Sequence, residues 1–228
     1  MKNGRLSQES LKLIACITML IDHLGVVFFH GVGWRLVGRL SFPIYCFLLT
    51  EGAHYTRNQK RYGLRLLAGL LLSEVPFDLL FFGKLTLAHQ SVMVTLLLGF
   101  LYVVTVRQVK TDGSRILLLL VYAMLGEVMN GDYGGTGVAV VGLFELTRED
   151  DGKWWKRTLG LAALSWTIGG MGIRLGRTMI PIQVFSMVSM IPILLYDGSK
   201  RTGNRWVQRV FYLFYPVHLL VLYAVKIL

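Results

Sequence analysis

The stretch TMLIDHLGVVFF, residues 18–29, places an acid and an imidazole, Asp22 and His23, inside a run apolar enough to cross a bilayer. A charge at the centre of a membrane helix costs about 2.5–3.5 kcal/mol on insertion scales, so it must face a partner or a wet cavity. The two residues are neighbours, hence about 100° apart around a helix, and do not face each other. Each needs its own partner, or a third group between them.

The rest of the chain places this stretch in a membrane protein. Of 228 residues 54% are hydrophobic and only 16% charged, and the mean hydropathy is +0.56. Soluble domains carry nearer a quarter charged residues. Runs of about 20 apolar residues, the length a hydrocarbon core requires, recur throughout. Helices are predicted near 10–29, 36–55, 64–82, 91–106, 115–129, 134–147, 157–172, 179–196 and 208–227. The expected fold is an all-α polytopic membrane bundle of eight or nine transmembrane or re-entrant helices. The 134–147 run, short and glycine-rich, is the candidate re-entrant one. No polar linker divides the chain, which predicts a single domain over 1–228. The basic N-terminus followed by an apolar run imitates a secretory signal. Its length, and Asp22-His23 within it, favour a retained first helix.

The net charge of +11 does not indicate nucleic acid, because Lys and Arg sit in short loops between apolar runs rather than on one extended face. It gives an orientation instead. With the N-terminus in the cytoplasm, 18 of the 24 basic residues lie on that side. They are Lys2, Arg5 and Lys12; Arg57, Lys60, Arg61 and Arg65; Arg107, Lys110 and Arg115; Arg148, Lys153, Lys156 and Arg157; and Lys200, Arg201, Arg205 and Arg209. The other face keeps Arg35, Arg39, Lys84, Arg174, Arg177 and Lys226. This is the positive-inside asymmetry, and some of these cations also suit anionic lipid. Cys16 and Cys46 lie in apolar runs and signal neither a disulfide framework nor a metal site.

Seven of the 13 acidic residues fall in or beside apolar runs: Asp22, Glu51, Glu74, Asp78, Glu127, Asp132 and Glu145. His23 is the natural general base among the polar residues of the spans, being titratable near neutral pH. Arg35 and Arg39, one turn apart at the outer start of the second helix, are placed so that Arg39 can pair with Asp22. A structural Asp–Arg pair with a capping histidine explains the same spacing about equally well. Glu74 and Asp78 are also one turn apart, around Pro76, and either flank a cavity or satisfy backbone groups freed by a kink. GEVMNGDYGGTGV brings Glu127, Asp132 and Tyr133 into irregular backbone at membrane depth; a plain outer turn fits it as well. Tyr215 and His218 share a face of the last helix. His30 and His54 read as ordinary interface residues, and His89 in an outer loop is open. There is no Walker loop, Rossmann glycine fingerprint, zinc spacing or GxSxG elbow. Any ligand site must come from converging helices.

Six blocks, LKLIACITMLIDHLG, GRLSFPIYCFLLTEG, SEVPFDLLFFG, HQSVMVTLLLG, DYGGTGV and FYLFYPVHLL, resemble in order those of the TraX family. That family of integral membrane proteins is named for the F-pilin N-acetylase of conjugative plasmids. The resemblance covers roughly residues 10–225 and is weakest between about 147 and the final helix. TraX proteins look related to a wider set of transmembrane acyltransferases, including the lysosomal heparan-glucosaminide N-acetyltransferase and bacterial enzymes that acylate surface polysaccharides. The resemblance implies transfer of an acetyl or other acyl group from cytoplasmic acyl-CoA, with no metal, in a bacterial cytoplasmic membrane. The implied acceptor is an amine or hydroxyl on a peptide, glycan or lipid. It also implies an essential intramembrane histidine, which here matches His23, with Asp22 before it. Arg39, Glu51, Glu74, Asp78, Asp132, Tyr133 and His218 fall in other matching blocks. Where the family block reads HQNV this chain has Ser91, so a polar contact there differs.

On this reading His23 takes the proton of the attacking amine or hydroxyl, tuned by Asp22 or Arg39, and Arg39 or Tyr133 donates to the oxyanion. Arg57, Lys60, Arg61 and Arg65 are the candidate site for the phosphates of acetyl-CoA, although membrane topology accounts for the same cluster. His89 and Tyr215 complete the set of candidate cavity residues. Two other classes use the same features: a proton-coupled small-molecule transporter, with the buried Asp, Glu and His as a relay, and a non-catalytic membrane scaffold.

Overall fold

The computed structural model of the chain describes residues 5–149, 154–168, 171–175, 178–199 and 205–228. Lys2, Lys153, Arg177, Lys200 and Arg201, counted above for orientation, lie outside the described residues, as does the side chain of Arg205. The fold is mostly helical, and the backbone contacts divide it into two compact units. One comprises residues 1–48 and 147–211, the other 49–146 and 212–228.

In the first unit, α1 (Gln8–Leu24) starts where the Ser7 hydroxyl accepts the N–H of Ser10 at 3.2 Å. Its last residues loosen into a π-helical turn, Gly25–Phe29, which His30 ends in the left-handed region at φ 52°. The chain reverses into α2 (Val32–Gly38). Two glycines set how closely α1 and α2 approach. A Cβ on Gly25 would overlap the Trp34 side chain, and one on Gly38 would overlap the Asp22 carboxylate. Phe29 stacks on Trp34, ring centres 4.5 Å apart, and closes the turn.

The chain continues into α3 (Ser41–Tyr55), whose second half belongs to the other unit. Ser41 donates to the carbonyl of Ala15 at 3.0 Å, tying α3 to α1. The first unit is completed by α8 (Trp154–Thr167), a hairpin, a 3₁₀ segment (Ile182–Ser189) and α9 (Met190–Leu194). Ser165 and Ser186, both fully buried, join α8 to the 3₁₀ segment at 2.7 Å.

The hairpin corrects the sequence expectation. Helix was predicted to residue 172 and again from 179. Instead β1 (Gly172–Leu175) pairs antiparallel with β2 (Thr178–Pro181), Ile173 opposite Ile180. Glycines dilute the helical signal of this stretch, β-branched Ile173 and Ile180 suit a pleated pair, and Pro181 ends the strand without needing a donor.

In the second unit α5 (Val92–Val106) is mostly buried among α4 (Gln59–Phe82), α6 (Asp112–Val128) and α7 (Gly134–Leu146), with Leu101 exposed. Its sequence is apolar but for Thr95, Tyr102 and Thr105 and shows no charged stripe, as suits a helix packed on most sides. Small residues let the helices approach: a Cβ on Gly99 would press on Val141, and Gly142 lies against Leu119. The run offered as re-entrant is thus a buried 13-residue helix. α4 continues through Pro76 and stops at Gly83, whose φ of 68° suits glycine.

The contacts of this unit sort into two ends. At one, His54 near the end of α3 meets Glu145 near the end of α7, while Arg107 and Gln59 donate to the Ala53 carbonyl. At the other, Glu74 meets Ser91, and Gln90 pairs with Gly131. Also at that end, Lys226 of α10 (Arg205–Ile227) donates to the Leu80 carbonyl in the last turn of α4 at 2.8 Å. Consecutive helices here run up and down.

The exposed faces are apolar. Ile116, Leu117, Leu120, Val121, Met124, Leu125 and Val128 form an exposed stripe at helical spacing along α6, a pattern that suits lipid and not water. Among the described residues, three helical stretches are long and apolar enough to span a membrane: Gln8–Phe29, Val32–Tyr55 and Gln208–Ile227. Val92–Val106, Gly134–Leu146 and Ile182–Leu194 are shorter apolar helices. α4 has the length, 24 residues or about 36 Å at 1.5 Å per residue. It is not one of the three apolar spans.

Candidate functional site

In the first unit a buried polar cluster forms around Asp22. Arg39 Nη2 donates to both carboxylate oxygens, at 2.8 and 3.0 Å, and Arg35 Nη1 donates to Oδ2 at 2.6 Å. Arg39 also donates through Nη1 to the Gln183 side chain at 2.8 Å and through Nε to the Arg35 carbonyl at 3.2 Å. Asp22, Arg39 and Gln183 are each more than nine-tenths buried or at that limit. The one-turn spacing of Arg35 and Arg39 on α2 brings both guanidiniums to one carboxylate, because Gly38 leaves room for it.

Both Asp22 oxygens are thus held by charge-assisted hydrogen bonds from guanidiniums. His23 is half-buried, about 100° further around α1. The expected Asp22–Arg39 pair is therefore present. Arg35 completes it, and Gln183, some 144 residues further on than Arg39, was not anticipated from the sequence.

The second unit gathers another cluster. Glu74 accepts from the Ser91 hydroxyl at 2.6 Å and from the Ser91 N–H at 3.2 Å. Ser91, where the chain departs from the family block, is thus a working contact. Asp78 accepts the Thr86 N–H at 2.8 Å through Oδ2, while its buried Oδ1 has no hydrogen-bond partner among the described residues. Glu74 and Asp78 therefore both face the 83–91 loop. His89 in that loop packs against Phe77 and Phe82, with Nε2 3.6 Å from Asp132. The adjacent Asp132 carboxylate raises the His89 pKa, burial opposes it, and Glu74 adds a smaller upward push. The Val92 N–H meets the Tyr215 hydroxyl, with Glu74, Asp132 and Tyr133 within electrostatic reach. So Glu74, His89, Asp132, Tyr133 and Tyr215, far apart in sequence, come together, with Asp78 one turn away. Glu127 instead accepts the Gly135 N–H at 3.0 Å, a local brace for the start of α7.

His218 is buried beside Tyr215, ring centres 5.6 Å apart, and stacked on Phe214, with Nδ1 2.8 Å from the Phe214 carbonyl. Glu51 is half-buried in α3. Arg57, Lys60, Arg61 and Arg65 are exposed around the start of α4, which Asn58 caps by accepting the Arg61 N–H at 2.8 Å. Arg65 lies over the rings of Tyr62 and Tyr212.

Sequence reading missed one part-buried pair. His54 Nε2 lies 3.0 and 2.8 Å from the two oxygens of Glu145. The partners are 91 residues apart on different helices, and no local spacing announces them. Among the described residues no group of three or more His, Cys, Asp and Glu side chains is arranged to hold a metal ion.

A relative described as "Probable fimbrial assembly protein FimC, serogroup H1", from Dichelobacter nodosus, is 26% identical over 249 residues, covering 99% of this chain and 98% of its own length. No solved structure matches the chain. The family described as TraX protein matches residues 7–226, nearly the whole sequence, and the chain belongs to that family.

Proposed function

We propose that this protein is a membrane-embedded acyltransferase that moves an acetyl or short acyl group from cytoplasmic acyl-CoA to an amine or hydroxyl acceptor. A pilin-like peptide is the acceptor that the relative's fimbrial assembly name favours; glycan and lipid acceptors fit the same chemistry. In this reading the chain is a polytopic bundle of eight or nine helices in the bacterial cytoplasmic membrane, with its N-terminus inside.

The observation that carries the proposal, beside family membership, is the Asp22 carboxylate buried between Arg35 and Arg39 next to His23. An intramembrane acid held this firmly fixes α1 and α2 and the imidazole that follows it. His23 takes the proton of the acceptor as the new C–N or C–O bond forms and the C–S bond of the thioester breaks. Arg39, already fixed by three groups, supplies positive charge where negative charge develops. Arg57, Lys60, Arg61 and Arg65 take the phosphates of CoA. Glu74, Asp78, His89, Asp132, Tyr133 and Tyr215, with Glu51 and His218, are in this reading polar residues available to substrate.

The test is transfer of labelled acetyl from acetyl-CoA to a peptide with a free α-amine, by the full chain purified in detergent. Wild type should acetylate the peptide and His23→Ala should lose about 100-fold or more of the rate, the scale of general-base catalysis. Equal rates in wild type and His23→Ala would remove His23 from the mechanism. Folded wild type that neither binds acetyl-CoA nor acetylates would remove the activity.

A further inference from the structure

The pairing of His54 with Glu145 has the form of a reactive dyad rather than a packing pin. A carboxylate only accepts, so the proton shared with Glu145 sits on Nε2 of the neutral ring, and Nδ1 carries the free lone pair. Nδ1 has no partner among the described residues. The Glu145 side chain is 9% exposed while that of His54 is 23% exposed. The carboxylate is thus withdrawn and the imidazole is partly exposed. One nitrogen held by a buried acid and the other open is how a base is oriented in acyl-transfer enzymes.

The surroundings suit an acyl thioester. Arg107 donates to the carbonyl of Ala53, beside His54 in the chain, and its side chain reaches solvent. Its guanidinium is the cation this end of the unit offers to a tetrahedral oxyanion. Arg57, Lys60 and Arg61 follow within seven residues of His54, all exposed, and suit phosphates. All of these groups belong to one unit and to the same end of it.

We propose that His54, Glu145 and Arg107 form a second reactive site that hydrolyses acyl-CoA, separate from the site at His23. This rests on the acyl-CoA reading above. His54 Nδ1 takes a proton from water as the water oxygen bonds to the thioester carbonyl carbon. The carbonyl π electrons move to oxygen, against Arg107. When they return, the C–S bond breaks and the CoA thiolate takes the proton from Nδ1, giving the carboxylic acid and CoA thiol. Glu145 is a positioning residue that keeps the ring in the reactive tautomer.

The experiment measures saturable acetyl-CoA binding and release of free CoA, separated by chromatography, by the full chain in detergent without acceptor. Wild type, His54→Gln and Glu145→Gln are compared, each shown folded by thermal denaturation. Wild type should release CoA, and His54→Gln should lose about 100-fold or more of that rate with binding kept within twofold. Glu145→Gln should slow release with acetyl-CoA binding kept, and Glu145→Asp, which keeps an acceptor for Nε2, should restore part of the rate. A purely structural pair would leave release at the wild-type rate in both folded variants. Unchanged release by folded His54→Gln, or binding by wild type without release, overturns the dyad and leaves the donor intact. If His54→Gln does not fold, wild-type release by folded Glu145→Gln overturns the proposal. Folded wild type that does not bind acetyl-CoA overturns both readings.

Discussion

Arg39 holds Asp22 through a single nitrogen that reaches both carboxylate oxygens, at 2.8 and 3.0 Å, while Arg35 takes Oδ2 from one turn earlier at 2.6 Å. With Gln183 on its other terminal nitrogen, the Arg39 guanidinium links α1, α2 and the 3₁₀ segment.

Removing the shared carboxylate leaves two guanidiniums facing each other in a dry setting. Asp22→Ala should destabilise the protein by about 3–5 kcal/mol, the cost of removing one partner from a buried ion pair. Asp22→Asn, which keeps the shape and one acceptor, should cost less. Thermal denaturation in detergent checks both, and an Asp22→Ala protein melting with wild type would show that the clamp holds nothing together.

The close approach of α1 and α2 depends on two missing side chains. Gly38→Ala would drive a methyl into the Asp22 carboxylate, and Gly25→Ala would drive one into Trp34. Both should lower the melting temperature, and Gly38→Ala should also lower acetyl transfer by displacing Arg35 and Arg39. Gly33→Ala on the same helix meets nothing within 4 Å. It should be neutral or stabilising by about 0.5–1 kcal/mol, from helix propensity alone. A Gly33→Ala loss as large as that of Gly38→Ala would contradict the packing argument.

His89 should titrate above the ordinary histidine value because of Asp132, with Glu74 adding a smaller upward push. A histidine whose folded pKa is raised contributes stability that is fully present below its unfolded value, about 6.5. That contribution is lost as pH rises through the folded value. NMR titration of histidine-labelled protein in detergent should place the His89 transition higher in wild type than in Asp132→Asn. Coincident transitions would mean the 3.6 Å pair carries no charge interaction.

The exposed cations at the start of α4 should matter for the donor and not for the fold. Lys60→Glu combined with Arg61→Glu should leave the melting temperature within a few degrees and weaken acetyl-CoA binding about tenfold or more. The loss should be smaller for a pantetheine thioester lacking the nucleotide phosphates. Wild-type binding should fall with added salt, as exposed charge interactions do. Undiminished binding by the double variant would return these residues to a purely topological role.

Much of this protein was legible in one dimension. Helix positions follow from apolar runs, and the observed elements lie within a few residues of them wherever such a run is long. The Asp22–Arg39 pair was legible because an acid in a membrane helix demands a cation, and Arg35 and Arg39 present two at one-turn spacing. The hairpin at 172–181 was not, because hydropathy reports burial and not period, and short apolar strands look like weak helix. The contacts that only the tertiary structure decided join residues remote in sequence: Gln183 on Arg39, Glu145 on His54, Asp132 on His89 and Ser91 on Glu74. Sequence determined which residues are too polar for their surroundings and so must find partners. Which partner each one found was decided by helix packing, because hydrogen bonds act over about 3 Å and only the folded chain brings those helices that close.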